Sequence, residues 1–297
     1  MDQTSPVPWQ LMHTPGLACT VVRPSTASRL VYSLPHSGRY YPASFQAEAQ
    51  PSGRALRASE DAYVDDMLEL TPELGVHGLI CGYARAFCDV NRNPLELDSR
   101  LIRGQLPRQA LSLTARVKAG FGVIARRLSA DQDIYRHPIG MDEVNRRLDL
   151  IHRPYHETLQ SLLAEAGRHG TATLIDWHSM PSVALAGLSG PRPDVVLGNL
   201  HGQSCSEALV RRVTGILEAG GLRVGLNKPF AGGYIIERYG KPGGLRPGSD
   251  NAALKVEALQ IEINRAIYMN EASLEPHDGL GRLRGIFRTL ADSLKTR

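Results

Sequence analysis

Thr171-Ala172-Thr173-Leu174-Ile175-Asp176-Trp177-His178-Ser179-Met180-Pro181 is an apolar stretch that ends on a polar one. The apolar residues predict a buried strand, entered directly after Gly170 and stopped by Pro181, which has no N–H for a ladder. In open α/β sheets ligands gather where strands end, so His178 is placed to point into a site. A second segment has the same form: Leu30-Val31-Tyr32-Ser33-Leu34 is a strand candidate closed by Pro35-His36-Ser37-Gly38. Two imidazoles at two strand ends predict a metal site built from distant parts of the chain, with His36 and His178 as ligands.

Outward from these strands the chain alternates strand and helix. Ser59 is read as the N-cap of a helix carrying Glu60, Asp61, Val64, Asp65 and Leu68. Residues 78–81 and 86–90 read as short strands ahead of a loop. Over 141–166 the positions Val144, Leu148, Ile151, Tyr155, Leu159 and Leu163 recur at helical spacing, with Pro154 as a kink or break. Ser206 opens a further helix ended by Gly220-Gly221. Residues 224–226 and 258–263 are strand candidates, and 280–294 form an amphipathic helix. This alternation predicts an α/β fold with a mostly parallel sheet covered on both faces. No repeat, low-complexity tract or linker divides the 297 residues, so a single domain over 1–297 is expected. Residues 98–140, the least periodic, are expected to form an excursion beside the site.

Composition narrows the partners. The formal net charge is only +4, from 34 Lys and Arg against 30 Asp and Glu, with no basic block, which argues against nucleic acid. Cys19, Cys81, Cys88 and Cys205 make no CxxC pair and fit reduced thiols in a cytoplasmic protein. No secretory signal pattern and no bilayer-spanning apolar run is present. A small-molecule substrate is the expected partner.

Three further clusters carry chemistry. In Ser59-Glu60-Asp61-Ala62-Tyr63-Val64-Asp65-Asp66, Asp61 or Glu60 is a candidate third metal ligand, because two imidazoles need a carboxylate and leave a position for water. In Asp89-Val90-Asn91-Arg92-Asn93-Pro94, Arg92 is suited to grip a carboxylate bidentately, with Asn91 adding a directional hydrogen bond. In Leu259-Gln260-Ile261-Glu262-Ile263-Asn264-Arg265, alternation sets Gln260, Glu262 and Asn264 on one side. A polar file on a covered sheet needs a reason, and a carboxylate beside an activated water supplies one.

Seven motifs in order resemble the N-formylglutamate amidohydrolase (deformylase) family, from Pro35 to Glu271. They are Pro35-His36-Ser37-Gly38-Arg39-Tyr40-Tyr41-Pro42, Glu60-Asp61-Ala62-Tyr63-Val64-Asp65, Asp89-Val90-Asn91-Arg92, Asp176-Trp177-His178-Ser179-Met180-Pro181, Phe230-Ala231-Gly232-Gly233-Tyr234-Ile235, Tyr239-Gly240-Lys241-Pro242 and Gln260-Ile261-Glu262-Ile263-Asn264-Arg265. That family is distantly similar to zinc carboxypeptidases and aspartoacylases. The resemblance therefore implies a three-layer α/β/α sandwich with a mostly parallel mixed sheet, phosphorylase/hydrolase-like. Those relatives pair a histidine with a nearby glutamate; no glutamate follows His36 closely, so Asp61 is preferred as acidic ligand, with Glu60 and Asp65 behind it.

The implied activity is hydrolysis of a linear amide: N-formyl-L-glutamate to formate and L-glutamate, in histidine breakdown. On that reading one Zn²⁺ is held by His36, Asp61 and His178, Glu262 is the base, and Arg92 with Asn91 meets one substrate carboxylate or the reacting carbonyl. Arg238 or Lys241 meets the other carboxylate, with Arg39 a third candidate. Two alternatives remain: a related zinc amidohydrolase, aspartoacylase- or carboxypeptidase-like, acting on another N-acyl amino acid, and a non-catalytic acidic-amino-acid binding protein, which would have no need of Glu262.

Overall fold

The computed structural model describes residues 16–51, 53–129, 131–240 and 255–295. A seven-stranded mixed sheet is built from β1 (Cys19–Val22), β2 (Leu30–Leu34), β3 (His77–Cys81), β4 (Ala172–Met180), β5 (Val195–Gly198), β6 (Val224–Leu226) and β7 (Val256–Asn264). They lie side by side in the order β1-β3-β2-β4-β7-β5-β6. The central strands β3, β2, β4 and β7 are mutually parallel. Antiparallel pairings of β1 with β3 and β5 with β7 make the sheet mixed.

Helices cover both faces, the three-layer α/β/α arrangement expected of alternating strands and helices. One core joins Val31, Leu174 and Ala258 of the sheet to α2 (Arg153–Ala166) and α4 (Tyr234–Tyr239). The other joins Tyr32, Ile175, Trp177 and Ile261 to α1 (Val64–Leu68), α3 (Glu207–Ala219) and α5 (Gly279–Lys295). Strand alternation decides what remains. With Trp177 on the second face, Asp176 and His178 share the first; with Ile261 on the second face, so do Gln260 and Glu262. Register then sets Ser33 beside Asp176, Asp176 beside Gln260, and His178 beside Glu262.

Trp177 anchors this row from behind, its indole edge-on to Tyr32 at 5.3 Å and Phe287 at 4.8 Å. Losing such a buried ring costs about 3–5 kcal/mol, so the strand that carries His178 is held firmly.

Two local expectations fail for physical reasons, and a third is refined. Residues 86–90 are a buried loop, not a strand; the buried Arg147 guanidinium donates to the Phe87 carbonyl at 3.1 Å, doing what a ladder partner would. Ser59 does not cap the helix after it: its hydroxyl donates back to Leu56 O, and α1 starts only at Val64 behind Tyr63 at φ 64°. Asp61 therefore lies in a turn and shares no helix face with Asp65. The long helix over 141–166 is three pieces, with a π turn at Leu148–His152 and Pro154 in the first turn of α2. Residues 98–140 do form an excursion, with short strand pairs Ile102–Arg103 with Ile139–Gly140 and Arg127–Ser129 with Gln132–Asp133. Among the described residues no helix is long and apolar enough to cross a membrane.

Candidate active site

A cleft of about 310 Å³ opens at the carboxyl ends of β4 and β7 and of the turn leaving β2, lined by His36, Asn91, Arg92, His178, Gln260 and Glu262 among others. A larger hollow of about 360 Å³ lies at the other end of the sheet, by Ser28, Arg29 and His77. It holds no cluster able to ligate a metal among the described residues, so size is a poor guide here.

His36, Asp61 and His178 meet in the cleft, 2%, 0% and 3% exposed. The Asp61 N–H donates to the His36 carbonyl at 3.0 Å, tying its turn to the end of β2. His178 Nδ1 lies 3.0 Å from His36 Nδ1 and 3.0 Å from Asp61 Oδ2, and His36 Nδ1 lies 3.3 Å from the same oxygen. Each ring turns its other nitrogen to a further carboxylate: His36 Nε2 to Asp89 Oδ1 at 2.7 Å, His178 Nε2 to Asp176 Oδ2 at 2.9 Å. A carboxylate there holds the proton on Nε2 and leaves the Nδ1 lone pair inward. Two such lone pairs and a carboxylate oxygen then face one point, which calls for a cation.

Burial pulls the His178 imidazole down, but the charges of Asp176 and its hydrogen bonds to Asp176 and Asp61 outweigh it, and its pKa stands well above the usual value. Burial pushes Asp61 up, yet its bonds to His178 and His36 hold it well below the carboxylate range. The donor set fits a small divalent ion: histidine and carboxylate ligands at about 2.0–2.2 Å in a tetrahedron stand about 3.3–3.6 Å apart, close to the observed triangle.

The neighbours fix this triangle. Ser33 Oγ donates to Asp176 Oδ1 at 2.7 Å, and Arg85 donates to Asp89 Oδ2 at 2.8 Å. Arg265 donates to Asp61 Oδ1 at 3.2 Å and to Ser179 Oγ at 3.0 Å. Glu262 stands beside His178 and receives the Gln260 amide at 2.8 Å. Burial pushes its carboxyl up to about 7, with the His178 charge working the other way.

Asn91 lines the cleft, but its carboxamide serves the protein: Oδ1 accepts from the Ile235 N–H at 2.8 Å, and Nδ2 lies 3.0 Å from His178 Nε2 and donates to Asp176 at 3.4 Å. A Cβ at Gly233 would lie 2.3 Å from that amide nitrogen, which is why glycine is needed there. Arg92 lines the cleft, its Nε donating to Phe121 O and its NH1 to Asn91 O.

Other expected residues stand elsewhere. Arg39 pairs with Asp65 at 2.7 Å and Asp66 at 3.4 Å, outside the cleft lining, which also removes Asp65 from the metal triangle. Glu60 receives the Tyr41 hydroxyl at 2.7 Å and is not part of the triangle. Arg238 donates to Tyr234 OH at 2.9 Å and lines a separate hollow with His152 and His156, because α4 turns it away. Lys241 lies outside the described residues.

Sequence reasoning missed Asp89 and Asp176 as the holders of the two histidines. It missed Arg85 and Arg116 in the cleft wall, and also the His152–His156 pair, whose Nε2 atoms meet Arg92 O at 2.9 Å and Val90 O at 2.8 Å and pin the loop between. Signals existed: Asp176 shares the strand face of His178, and two histidines four apart interrupt the apolar spacing of a helix.

Asp176→Asn tests the support. The amide cannot hold the Nε2 proton as a carboxylate does, so metal affinity should fall about 10–100-fold, read by competition with a chelator. An unchanged affinity would show that Asp176 only fills space.

A polar cleft at the carboxyl ends of parallel strands, inside an α/β/α sandwich, is where open α/β folds bind their ligands. The chain belongs to the N-formylglutamate amidohydrolase family, whose model matches residues 28–269, and is thus a hydrolase of amide bonds. It is similar to the crystal structure of N-formylglutamate amidohydrolase from Ralstonia eutropha JMP134, with 31% identity and a TM-score of 0.82 over 93% of this chain and 98% of that one. The gene product Atu2144 of Agrobacterium tumefaciens shares the fold at 14% identity and a TM-score of 0.54, over 94% of each chain. No curated protein matches the chain. Membership of an enzyme family sets aside the non-catalytic binding protein.

Proposed function

We propose that the chain hydrolyses N-formyl-L-glutamate to formate and L-glutamate, the step that its resemblance assigns to histidine breakdown, with one Zn²⁺ held by His36, Asp61 and His178. The observation that carries this reading is the convergence of those three side chains beside a raised-pKa glutamate, in a family of amidohydrolases. Zinc in such a site lowers the pKa of water to about 7 and polarises a carbonyl oxygen.

Glu262 takes the proton of the attacking water as its oxygen bonds to the formyl carbon. It then returns that proton to the glutamate nitrogen as the C–N bond breaks. A carboxyl titrating near neutral pH suits both halves of that task. Gln260 holds Glu262 in place. Arg92 keeps its NH2 group without a protein hydrogen bond among the described residues, and it stands next to Asp89, the carboxylate that holds His36. That position supports giving it the α-carboxylate, the one nearest the scissile bond.

The direct test is formate release by zinc-loaded protein from N-formyl-, N-acetyl- and N-succinyl-L-glutamate. Release from the formyl compound is expected to be fastest; none at all would overturn the reading. The larger acyl groups are included because a second hollow of about 310 Å³ adjoins the cleft and shares Arg85, Arg92, Phe121 and Phe230 with it. A preference for one of them would move the substrate to another N-acyl amino acid.

Arg92→Ala should cost about 2–5 kcal/mol in kcat/KM on N-formyl-L-glutamate, the scale for leaving a buried charge unpaired. It should cost much less on the analogue whose α-carboxylate is a carboxamide. Equal losses on both would make Arg92 structural.

A further inference from the structure

One cation accounts for one carboxylate, whereas N-formylglutamate carries two. Arg116 is the unassigned cation at the outer lip of the cleft. It sits on the short helix Ala115–Lys118 of the excursion, whose cap Thr114 receives the Val117 N–H at 3.2 Å and donates to Glu96 at 3.1 Å. Its NH2 group crosses to the glycine turn and donates to Gly232 O at 3.0 Å. Among the described residues Nε and NH1 have no protein partner.

Phe121 spaces it from Arg92. The Phe121 N–H donates to Arg116 O at 2.9 Å, while Phe121 O receives Arg92 Nε at 3.2 Å. Arg85 completes the cationic wall, paired with Asp89.

Resting on the function proposed above, we infer that Arg116 is a specificity-determining residue that grips the side-chain carboxylate of an acidic N-acyl amino acid while Arg92 holds its α-carboxylate. The order follows from connectivity. The α-carboxylate is one carbon from the reacting nitrogen and belongs near the metal ligands. The side-chain carboxylate, two methylenes further, belongs toward the rim where Arg116 stands. Three guanidiniums sharing one wall also repel one another. Burial and then the neighbouring Arg85 and Arg116 depress Arg92, with Asp89 opposing them. A dianion relieves that crowding, and a substrate with one carboxylate relieves less of it.

The test compares N-formyl-L-glutamate with N-formyl-L-glutamine, which differs by that one charge. Arg116→Gln should lower the kcat/KM preference for the glutamate compound about 10–100-fold, the value of a hydrogen bond to a charged group. The change should lie mainly in KM, and Arg116→Lys should restore part of it. Calorimetry should show the same loss for binding of L-glutamate relative to L-glutamine. An unchanged preference, with both substrates declining together, would overturn the inference and make Arg116 a structural strap. If the wild type releases formate from neither compound, the proposed reaction falls. The binding comparison then decides Arg116 separately: equal discrimination in wild type and variant overturns its role.

Discussion

His178→Ala protein is expected to purify without zinc and to hydrolyse N-formyl-L-glutamate at least about 10³-fold more slowly than wild type. On the proposed assignment the imidazole supplies one of three inward-facing ligand atoms among the described residues, and two donors do not make a closed protein site for zinc. Its loss also takes the imidazole partner from Asp176, fully buried, and leaves that carboxylate to the neutral donors Ser33 Oγ and Asn91 Nδ2. Removing one partner of such a pair costs about 3–5 kcal/mol, so folding must be checked by circular dichroism. His36→Ala gives a second reading, since it removes the other Nδ1 while its partner Asp89 keeps Arg85. Asp61→Ala should behave likewise, whereas Glu60→Ala and Asp65→Ala should keep their metal because those carboxylates serve Tyr41 and Arg39. Full zinc occupancy in a folded His36 and His178 double variant would remove the metal assignment altogether.

How much of this was legible in the sequence follows from how local each signal is. The strands around His36, His178 and Glu262 could be read because alternation and a closing proline are properties of a few adjacent residues. Reading them also predicted that Glu262 would share a face with Gln260. The meeting of His36 and His178 was inferred from two strand ends of the same form, and β2 and β4 are indeed neighbours. Asp61 was harder. A capped helix was expected to present it, whereas a turn tied to the His36 carbonyl does so.

The failures are of another kind. An apolar run at 86–90 suggests a strand, and a buried arginine from a distant helix, with backbone bonds to Ala84 and Val123, makes a loop tolerable there. That guanidinium also lies over the Phe87 ring at 4.1 Å, a contact no local pattern announces. Arg238 stands away from the cleft for the same reason. Nearness in sequence to Gly232-Gly233 favoured Arg238, but a single helical turn carries it to another surface. Arg116 comes instead from the segment whose lack of periodicity gave least information. Fold was written in periodic positions; part of the cleft wall was written in an excursion.

Glu262→Gln is expected to slow hydrolysis about 10²–10⁴-fold, the range for general acid–base catalysis, while zinc content and KM stay near wild type. The substitution keeps the shape and the hydrogen bond with Gln260, and it removes only the proton acceptor. Selectivity for the chemical step follows because Glu262 is not among the three proposed ligands. A second readout comes from the metal-free protein. Burial raises the Glu262 carboxyl to about 7 in the fold, against an unfolded value near 4.5, so the folded state prefers the protonated form. That preference is fully satisfied below the unfolded value and is lost as pH rises through about 7, amounting to on the order of 3 kcal/mol. Glutamine carries no charge at any pH. The variant should therefore melt at a higher temperature than wild type at pH 8 and at nearly the same temperature at pH 4, both without metal. Loss of zinc in the variant would make Glu262 a ligand and redraw the triangle. Retention of most of the rate would place the base elsewhere.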